Sequence, residues 1–234
     1  MKRFDALVLA LALVVGATVL GAFFYGARSD DESIAVVGVA TQRVSSDIVK
    51  WRISLARSLS PSAVADGYGR MAADARAVTD ALTAAGIAAA DITVHPISIF
   101  RNYAPDGTVP GYTAGQSITV TSKELDRVES LATNPAALIG GGVLLQGSDL
   151  EFYVSDLAAV KQTLLAAATR DAMARAEEMA RSAERRLGRM LAARSGVFQF
   201  TEPYSSEVSD YGIFSTSTRE KDATVTVRAA FALR

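Results

Sequence analysis

The chain has no cysteine, one histidine, one tryptophan and six prolines among its 234 residues. Without cysteine, it can form no disulfide, thiolate zinc site or catalytic thiol, and it has no lipid-modified cysteine. The single histidine, His95, cannot form a histidine-based metal site, and no carboxylates stand near it at ligand spacing. We therefore interpret His95 as a packed or partly exposed side chain of a strand.

Other chemistry-bearing patterns are also missing. Lys and Arg number 24 against 25 Asp and Glu, so no excess of positive charge favours nucleic acid. There is no G-x-S-x-G segment, and the glycine-rich "IGGGVLLQG" lacks the Lys-Ser/Thr of a phosphate-binding loop. We predict no enzymatic activity, no cofactor, and no catalytic or metal-binding residue.

The N-terminus carries a long apolar segment. Lys2 and Arg3 precede an uncharged run of 22 residues, Ala6 to Ala27, which spans about 33 Å as a helix. Positive charge before the run predicts a single-pass anchor in the cytoplasmic (inner) membrane, with the N-terminus in the cytoplasm and the body outside it. A cleaved signal peptide, cut after Val15-Gly16-Ala17, is the alternative. The anchor residues would be Leu7, Leu9, Leu11, Leu13, Val15, Leu20, Phe23, Phe24 and Tyr25.

The sequence after the apolar run predicts an α+β fold with two strand-helix-strand-strand pseudo-repeats, antiparallel sheets and long packing helices. One transmembrane helix is predicted to precede this fold. In the first copy, Ser60-Pro61 starts a helix that Gly86 ends. In the second, Ser155 or Asp156 caps a helix that runs to about Leu187. The predicted organisation is an anchor at 1–28, a linker at 29–33 and one domain at 34–234. The predicted strands are "IAVVGVATQRV", "DIVKWRISLARSL", "DITVHPISIFR", "YTAGQSITVTS", "VLLQGSDLEFYVS", "RMLAARSGVFQF" and "DATVTVRAAFALR".

Two turn-rich segments are candidate contact surfaces. One is the hairpin tip at 102–111, and the other is the polar stretch at 201–221, which is unusually long for a connection. The longer stretch has three interpretations: a loop ordered by a neighbouring subunit, a mobile loop, or a lid over a ligand. The candidate oligomer contacts are Tyr103, Pro110, Tyr112, Tyr204, Tyr211, Ile213 and Phe214.

An ordered set of segments carries a family resemblance. "VVGVATQRV", "GIAAADITVHPISIFRNY", "PGYTAGQSITVTSKELDRV", "ATRDAMARAEEMARSAERRLGRM" and "ATVTVRAAFAL" follow one another as in the SIMPL-domain family, also called DUF541, of bacterial cell-envelope proteins. The chain departs from the family pattern at Ser46-Asp47 and at "ATNPAALIGGG". The resemblance implies an α+β fold, a periplasmic or surface location, homo-oligomers, no established catalytic residues, and a loose link to envelope or oxidative stress.

These observations lead to two expectations about function. The first is a membrane-anchored, non-enzymatic envelope protein that assembles with itself into a high-order, ring-like homo-oligomer. The second is a periplasmic module that captures a small ligand or a partner protein under the 201–221 loop. The sequence does not name the ligand.

Overall fold

The computed structural model describes residues 2–27, 32–138 and 144–234. Most of the segment "LIGGG" and most of the expected linker at 29–33 lie outside these residues. The helices are α1 (Lys2–Ala27), α2 (Val64–Ala84), α3 (Leu125–Thr133) and α4 (Leu157–Ser182). The strands are β1 (Ser33–Ser45), β2 (Ile48–Leu59), β3 (Ile92–Val94), β4 (Ser98–Asn102), β5 (Gly111–Ser122), β6 (Leu144–Tyr153), β7 (Leu187–Ser195), β8 (Gln199–Thr201), β9 (Ile213–Phe214) and β10 (Glu220–Leu233).

The described chain forms two compact units, and the predicted α+β class is confirmed. Unit 1 comprises Met1–Ala40, Thr163–Val197 and Val225–Arg234, and unit 2 comprises Thr41–Gln162 and Phe198–Thr224. The strands form two five-stranded sheets. The central sheet has the order β3-β5-β2-β6, with β4 also paired to β5. The terminal sheet has the order β1-β10-β8-β9, with β7 also paired to β10.

The core of unit 2 lies between the central sheet and its helices. Alternate residues of β2 point inward, and Trp51 and Ile53 are almost completely buried. They pack against Met71 and Leu82 of α2, which recur on one face of that helix. The Trp51 indole N–H donates to Ser148 Oγ at 2.9 Å, so its one polar atom is satisfied inside the core.

The start and end of α2 follow local sequence signals. Gly86 follows the helix with φ of +91°, a conformation that glycine adopts without strain. At the other end, Pro61–Ala63 form a 3-10 turn before α2 begins at Val64, and Ser60 makes no side-chain cap. Ser60 and Pro61 therefore occupy the N-cap and first positions of this turn, as predicted, but the side chain of Ser60 makes no capping hydrogen bond.

Unit 1 packs α4 closely against β1. Four alanines at four-residue spacing are completely buried along α4: Ala168, Ala172, Ala176 and Ala180. Gly38 faces them, and a Cβ there would lie 2.2 Å from the carbonyl oxygen of Ala168. The small residues on both elements thus let backbone approach backbone.

The predicted end of the second long helix is wrong. Helix α4 ends at Ser182, and Leu187 and Gly188 belong to β7. Glu184 has φ of +56°, so the chain turns at a residue that is not glycine. Two predicted strands are also each divided in two: β3 and β4 are separated at His95–Ile97, and β7 and β8 at Gly196–Phe198.

The pseudo-repeat exists with a different membership from the one predicted. Strand β6 pairs with β2 in the central sheet, so it does not join the second copy. The first strand of the second copy is β1, which lies beside β10. In each sheet the last strand of the copy, β5 or β10, therefore lies between the first strand and the pair of short strands that follows the helix.

The predicted membrane span, residues 6–27, lies within helix α1 (Lys2–Ala27). Among the described residues, no helix combines the length and the apolar character that crossing a membrane requires.

Candidate functional site

The segment between β8 and β10 is held by its own chain. Strand β9 within it pairs with β8 in parallel, matching Gln199 with Ile213 and Phe200 with Phe214. The amide of Ser215 donates to the Phe200 carbonyl at 2.8 Å. These bonds leave 202–212 as the true loop, which we call the aromatic loop.

A cation and three phenylalanines fix the base of the aromatic loop. The rings of Phe200 and Phe214 stack with their centroids 5.1 Å apart. Lys161 Nζ lies 5.3 Å from the centroid of Phe214 and 5.5 Å from that of Phe198. The contact between the ammonium and the ring faces ties the start of α4 to β9.

Tyr204 is held in an unusual backbone conformation. Its φ is +64°, and its amide donates to Asp222 Oδ2 at 3.2 Å. The Arg43 guanidinium binds both oxygens of Asp222, at 2.5 and 3.1 Å, and lies 5.1 Å from the centroid of the Tyr204 ring. This guanidinium lowers the pKa of Asp222 below its ordinary value. Contacts within its own chain therefore hold Tyr204 in place.

The aromatic loop presents large side chains to solvent. Tyr204, Val208 and Tyr211 are 90%, 83% and 97% exposed. Tyrosine offers a large contact area at a low cost in conformational entropy, and serine adds adaptable hydrogen bonds. A loop that is anchored at its base and apolar at its tip is suited to contact another macromolecule.

A small polar cavity lies within the same segment. Its volume is about 150 Å³. Its lining carries two carboxylates, three hydroxyls and one apolar side chain: Glu202, Glu207, Thr201, Ser205, Ser215 and Ile213.

The second predicted surface is a rigid hairpin tip. Asp106 Oδ1 accepts hydrogen bonds from the amide and the hydroxyl of Thr108, and these bonds lower the pKa of Asp106. Gly107 has φ of +83°, as the turn requires. Tyr103, at the end of β4, is 67% exposed.

The seven candidate contacts divide between the two sheets. Tyr103, Pro110 and Tyr112 belong to the β4–β5 hairpin, whereas Tyr204, Tyr211, Ile213 and Phe214 belong to the β8–β10 segment. Tyr112 is half-buried against the core of unit 2, and Ile213 is also half-buried. Phe214 is partly engaged by Phe200, so the strongest contact candidates are Tyr103, Tyr204 and Tyr211.

His95 lies on the open face of the central sheet. Its Nε2 is 2.9 Å from Thr119 Oγ1, and its amide donates to the Ser117 carbonyl at 2.9 Å. It lines an open groove with Lys50 and Arg52. His95 is exposed, but it lies between β3 and β4, whereas the sequence interpretation places it within a strand.

Sequence reasoning missed a buried lysine. Lys221 is only 3% exposed, and its ammonium donates to the Thr218 carbonyl at 2.5 Å. Burial lowers the pKa of Lys221. The signal was available, because Lys221 stands in phase with Ala223 and Val225 on the buried side of β10. Among the described residues, no group of three or more His, Asp or Glu residues is placed to hold a metal ion.

A family model described as a SIMPL protein of unknown function (DUF541) matches residues 34–231. The chain belongs to this family, as the ordered segments suggested. A search of curated proteins finds no match.

Proposed function

We propose that this member of the SIMPL family is a membrane-anchored, non-enzymatic envelope protein that assembles with itself into a ring-like homo-oligomer. The observation that supports this most directly is the aromatic loop, which the chain's own contacts hold in place while Tyr204, Val208 and Tyr211 remain exposed. When a neighbouring molecule covers apolar side chains on a fixed loop, their burial stabilises the complex. A link to envelope or oxidative stress belongs to the same proposal and gives no mechanism.

The membrane part of the proposal rests on the sequence of residues 6–27. Lys2 and Arg3, ahead of this run, favour a cytoplasmic N-terminus and a periplasmic location for residues 34–234. Alkaline extraction of membranes tests this, since an integral anchor keeps the full-length chain in the membrane pellet. Release of the full-length chain into the supernatant would refute the anchor.

Assembly is tested by the mass of the full-length protein in detergent, from light scattering corrected for the micelle. We expect one discrete mass that is several times the 24.6 kDa of the chain. The combined variant Tyr204→Ser, Val208→Ser, Tyr211→Ser should shift this mass towards the monomer. Substitution is preferable to deletion, because β9 follows directly and is part of the terminal sheet.

A matched control is Tyr68→Ser, which removes a half-exposed tyrosine from α2. It should leave the mass unchanged. A wild-type monomer would overturn the proposal, and an unchanged mass in the loop variant would remove the aromatic loop from the interface.

The cavity of about 150 Å³ under the loop favours a second candidate, which is capture of a small ligand. This candidate predicts a wild-type monomer or dimer that carries a small molecule in stoichiometric amount. Native mass spectrometry distinguishes this candidate from assembly. A loaded monomer or dimer exceeds the mass of one or two chains by the mass of the bound ligand.

A further inference from the structure

Strands β1 and β7 are the two edge strands of the part of the terminal sheet that belongs to unit 1. Strand β10 lies between β1 and β7. No further strand lies beside β1 or beyond β7 among the described residues. Unpaired edges are sites where another strand can add.

The outward-facing groups of β1 follow from its contacts with β10. The Glu32 carbonyl accepts from the Leu233 amide at 2.6 Å, so residues at even positions point towards β10. Residues at odd positions point outward, and the Val39 amide accordingly donates to Asp171 Oδ2 at 2.8 Å. Asp171 therefore closes the edge at Val39, and within the described part of the chain no other strand covers the edge at 33–37.

The outward-facing groups of β7 follow in the same way. The Gly196 amide donates to the Thr226 carbonyl of β10 at 2.8 Å. By alternation, the backbone groups of Ala193 and Ser195 point away from β10. The backbone N–H and C=O groups at 193–195 are thus available for pairing in the same way as those at 33–37.

The two edges differ in charge and share apolar exposure. Val37 of β1 is 46% exposed, and Leu191 of β7 is 39% exposed. Strand β7 carries Arg189 and Arg194, and the ion pairs of the described residues include neither of them. The β1 edge carries the carboxylate of Asp171, whose partner Arg175 is itself half exposed.

The direction of the strands limits how two copies can meet. Strand β7 is antiparallel to β10. Strand β1 is antiparallel to β10 as well, because Glu32 meets Leu233 and Thr41 meets Thr224. Strands β1 and β7 therefore run in the same direction, and two copies in the same orientation would pair these edges in parallel.

We propose that copies of this chain join through these edges, with β1 of one copy pairing in parallel with β7 of the next and with the β7 arginines meeting Asp171. This inference rests on the self-assembly proposed above and adds a second contact to the one made by the aromatic loop. The contact is heterologous, so it generates a ring when the rotation closes. A ring keeps residues 6–27 of every copy at one level along its axis, as a shared membrane requires.

Cysteine pairs test the contact without background, because the chain has no cysteine. Ala35 and Val37 lie on the exposed face of β1. Ala192 and Arg194 pair with Ala230 and Arg228, on the same face of the sheet. Four double variants combine Ala35→Cys or Val37→Cys with Ala192→Cys or Arg194→Cys, and together they cover neighbouring registers.

At least one double variant should form a disulfide-linked ladder on oxidation, whereas each single variant should stay unlinked. Within one copy the two cysteines are two strands apart, about 9.6 Å, which is too far for a disulfide. The control pair Asp66→Cys with Ala192→Cys, with one cysteine on α2, should give no ladder.

Two results would overturn this contact. One is a Val37→Cys dimer in the single variant, which indicates an antiparallel β1–β1 contact across a two-fold axis. The other is an oligomeric mass by light scattering without a ladder in any of the four pairs, which refutes this interface and leaves self-assembly standing. A monomeric mass refutes both proposals.

Discussion

The contact between Gly38 and α4 should be the most sensitive packing point of unit 1. In Gly38→Ala, the added Cβ would lie 2.2 Å from the Ala168 carbonyl oxygen, 2.4 Å from the Ala172 amide nitrogen and 2.7 Å from the Ala172 Cβ. The first two are backbone atoms of a helix, so no rotamer change can relieve the clash. Either α4 or β1 must move.

The expected cost lies at the upper end of the range for overpacked cores, about 3 kcal/mol. For a protein of this size, a loss of about 3 kcal/mol lowers the midpoint of thermal unfolding by roughly 6–12 °C. The measurement is the loss of far-ultraviolet circular dichroism of the full-length chain on heating in mild detergent.

Gly69→Ala is the matched control for the same chemical change. Gly69 lies within α2, and a Cβ there meets nothing within 4 Å. Because alanine favours a helix more than glycine does, this variant should gain about 0.5–1 kcal/mol. A Gly38→Ala midpoint within about 2 °C of wild type, where a cost of about 3 kcal/mol predicts a larger fall, would show that the backbone contact does not constrain the packing of unit 1.

Two further predictions concern unit 2. Lys161→Met removes the cation beside the Phe198 and Phe214 rings, so limited proteolysis should cut 202–212 faster than in wild type, and an unchanged rate would show that the cation does not hold the loop. Asp222→Asn should destabilise the protein at neutral pH. Because its folded pKa is depressed, the stabilisation by the carboxylate is present above its unfolded pKa of about 4 and disappears as pH falls further. Unfolding midpoints of wild type and Asp222→Asn should therefore converge in acid, and a constant gap would refute this role of the carboxylate.

The helices and long strands were predictable where the sequence pattern and the fold agree. Met71 and Leu82 recur in helical phase, and Gly86 marks the stop of α2. The end of α4 was not predictable, because Ala183 and Leu187 continue the helical spacing past Ser182. The turn that ends the helix uses Glu184 at positive φ, where sequence rules expect glycine or asparagine.

The exposure of the candidate contact residues was predictable in part. Apolar residues in a polar connection indicated Tyr204 and Tyr211, both of which are almost fully exposed. The support beneath Tyr204 was not predictable, since Arg43 and Asp222 are 179 residues apart and neither stands in a recognisable motif. Phe214 was predicted as a contact because the pattern does not show that β9 pairs with β8.

The membership of the two sheets depends on strand pairing, which local patterns do not encode. Strands β1 and β6 both alternate between more and less buried residues, so on pattern alone either strand could pair with the edge of either sheet. Register and pairing are decided by packing against α2 or α4, which lie far along the chain. The order of elements was therefore correct, whereas the assignment of β6 to the second copy was wrong.

The pairing of β1 with β10 has a consequence for when an edge becomes available. Strand β10 is the last of the described strands in chain order, so β1 lacks this pairing partner until β10 has been synthesised. Before then, both sides of β1 are open, and an exposed strand is a site of misassembly. Asp171 accepts the Val39 amide from α4, and α4 also precedes β10 in the chain. One side of β1 can therefore be blocked at Val39 before β10 pairs with the other side, and the side facing β10 stays open until β10 is in place.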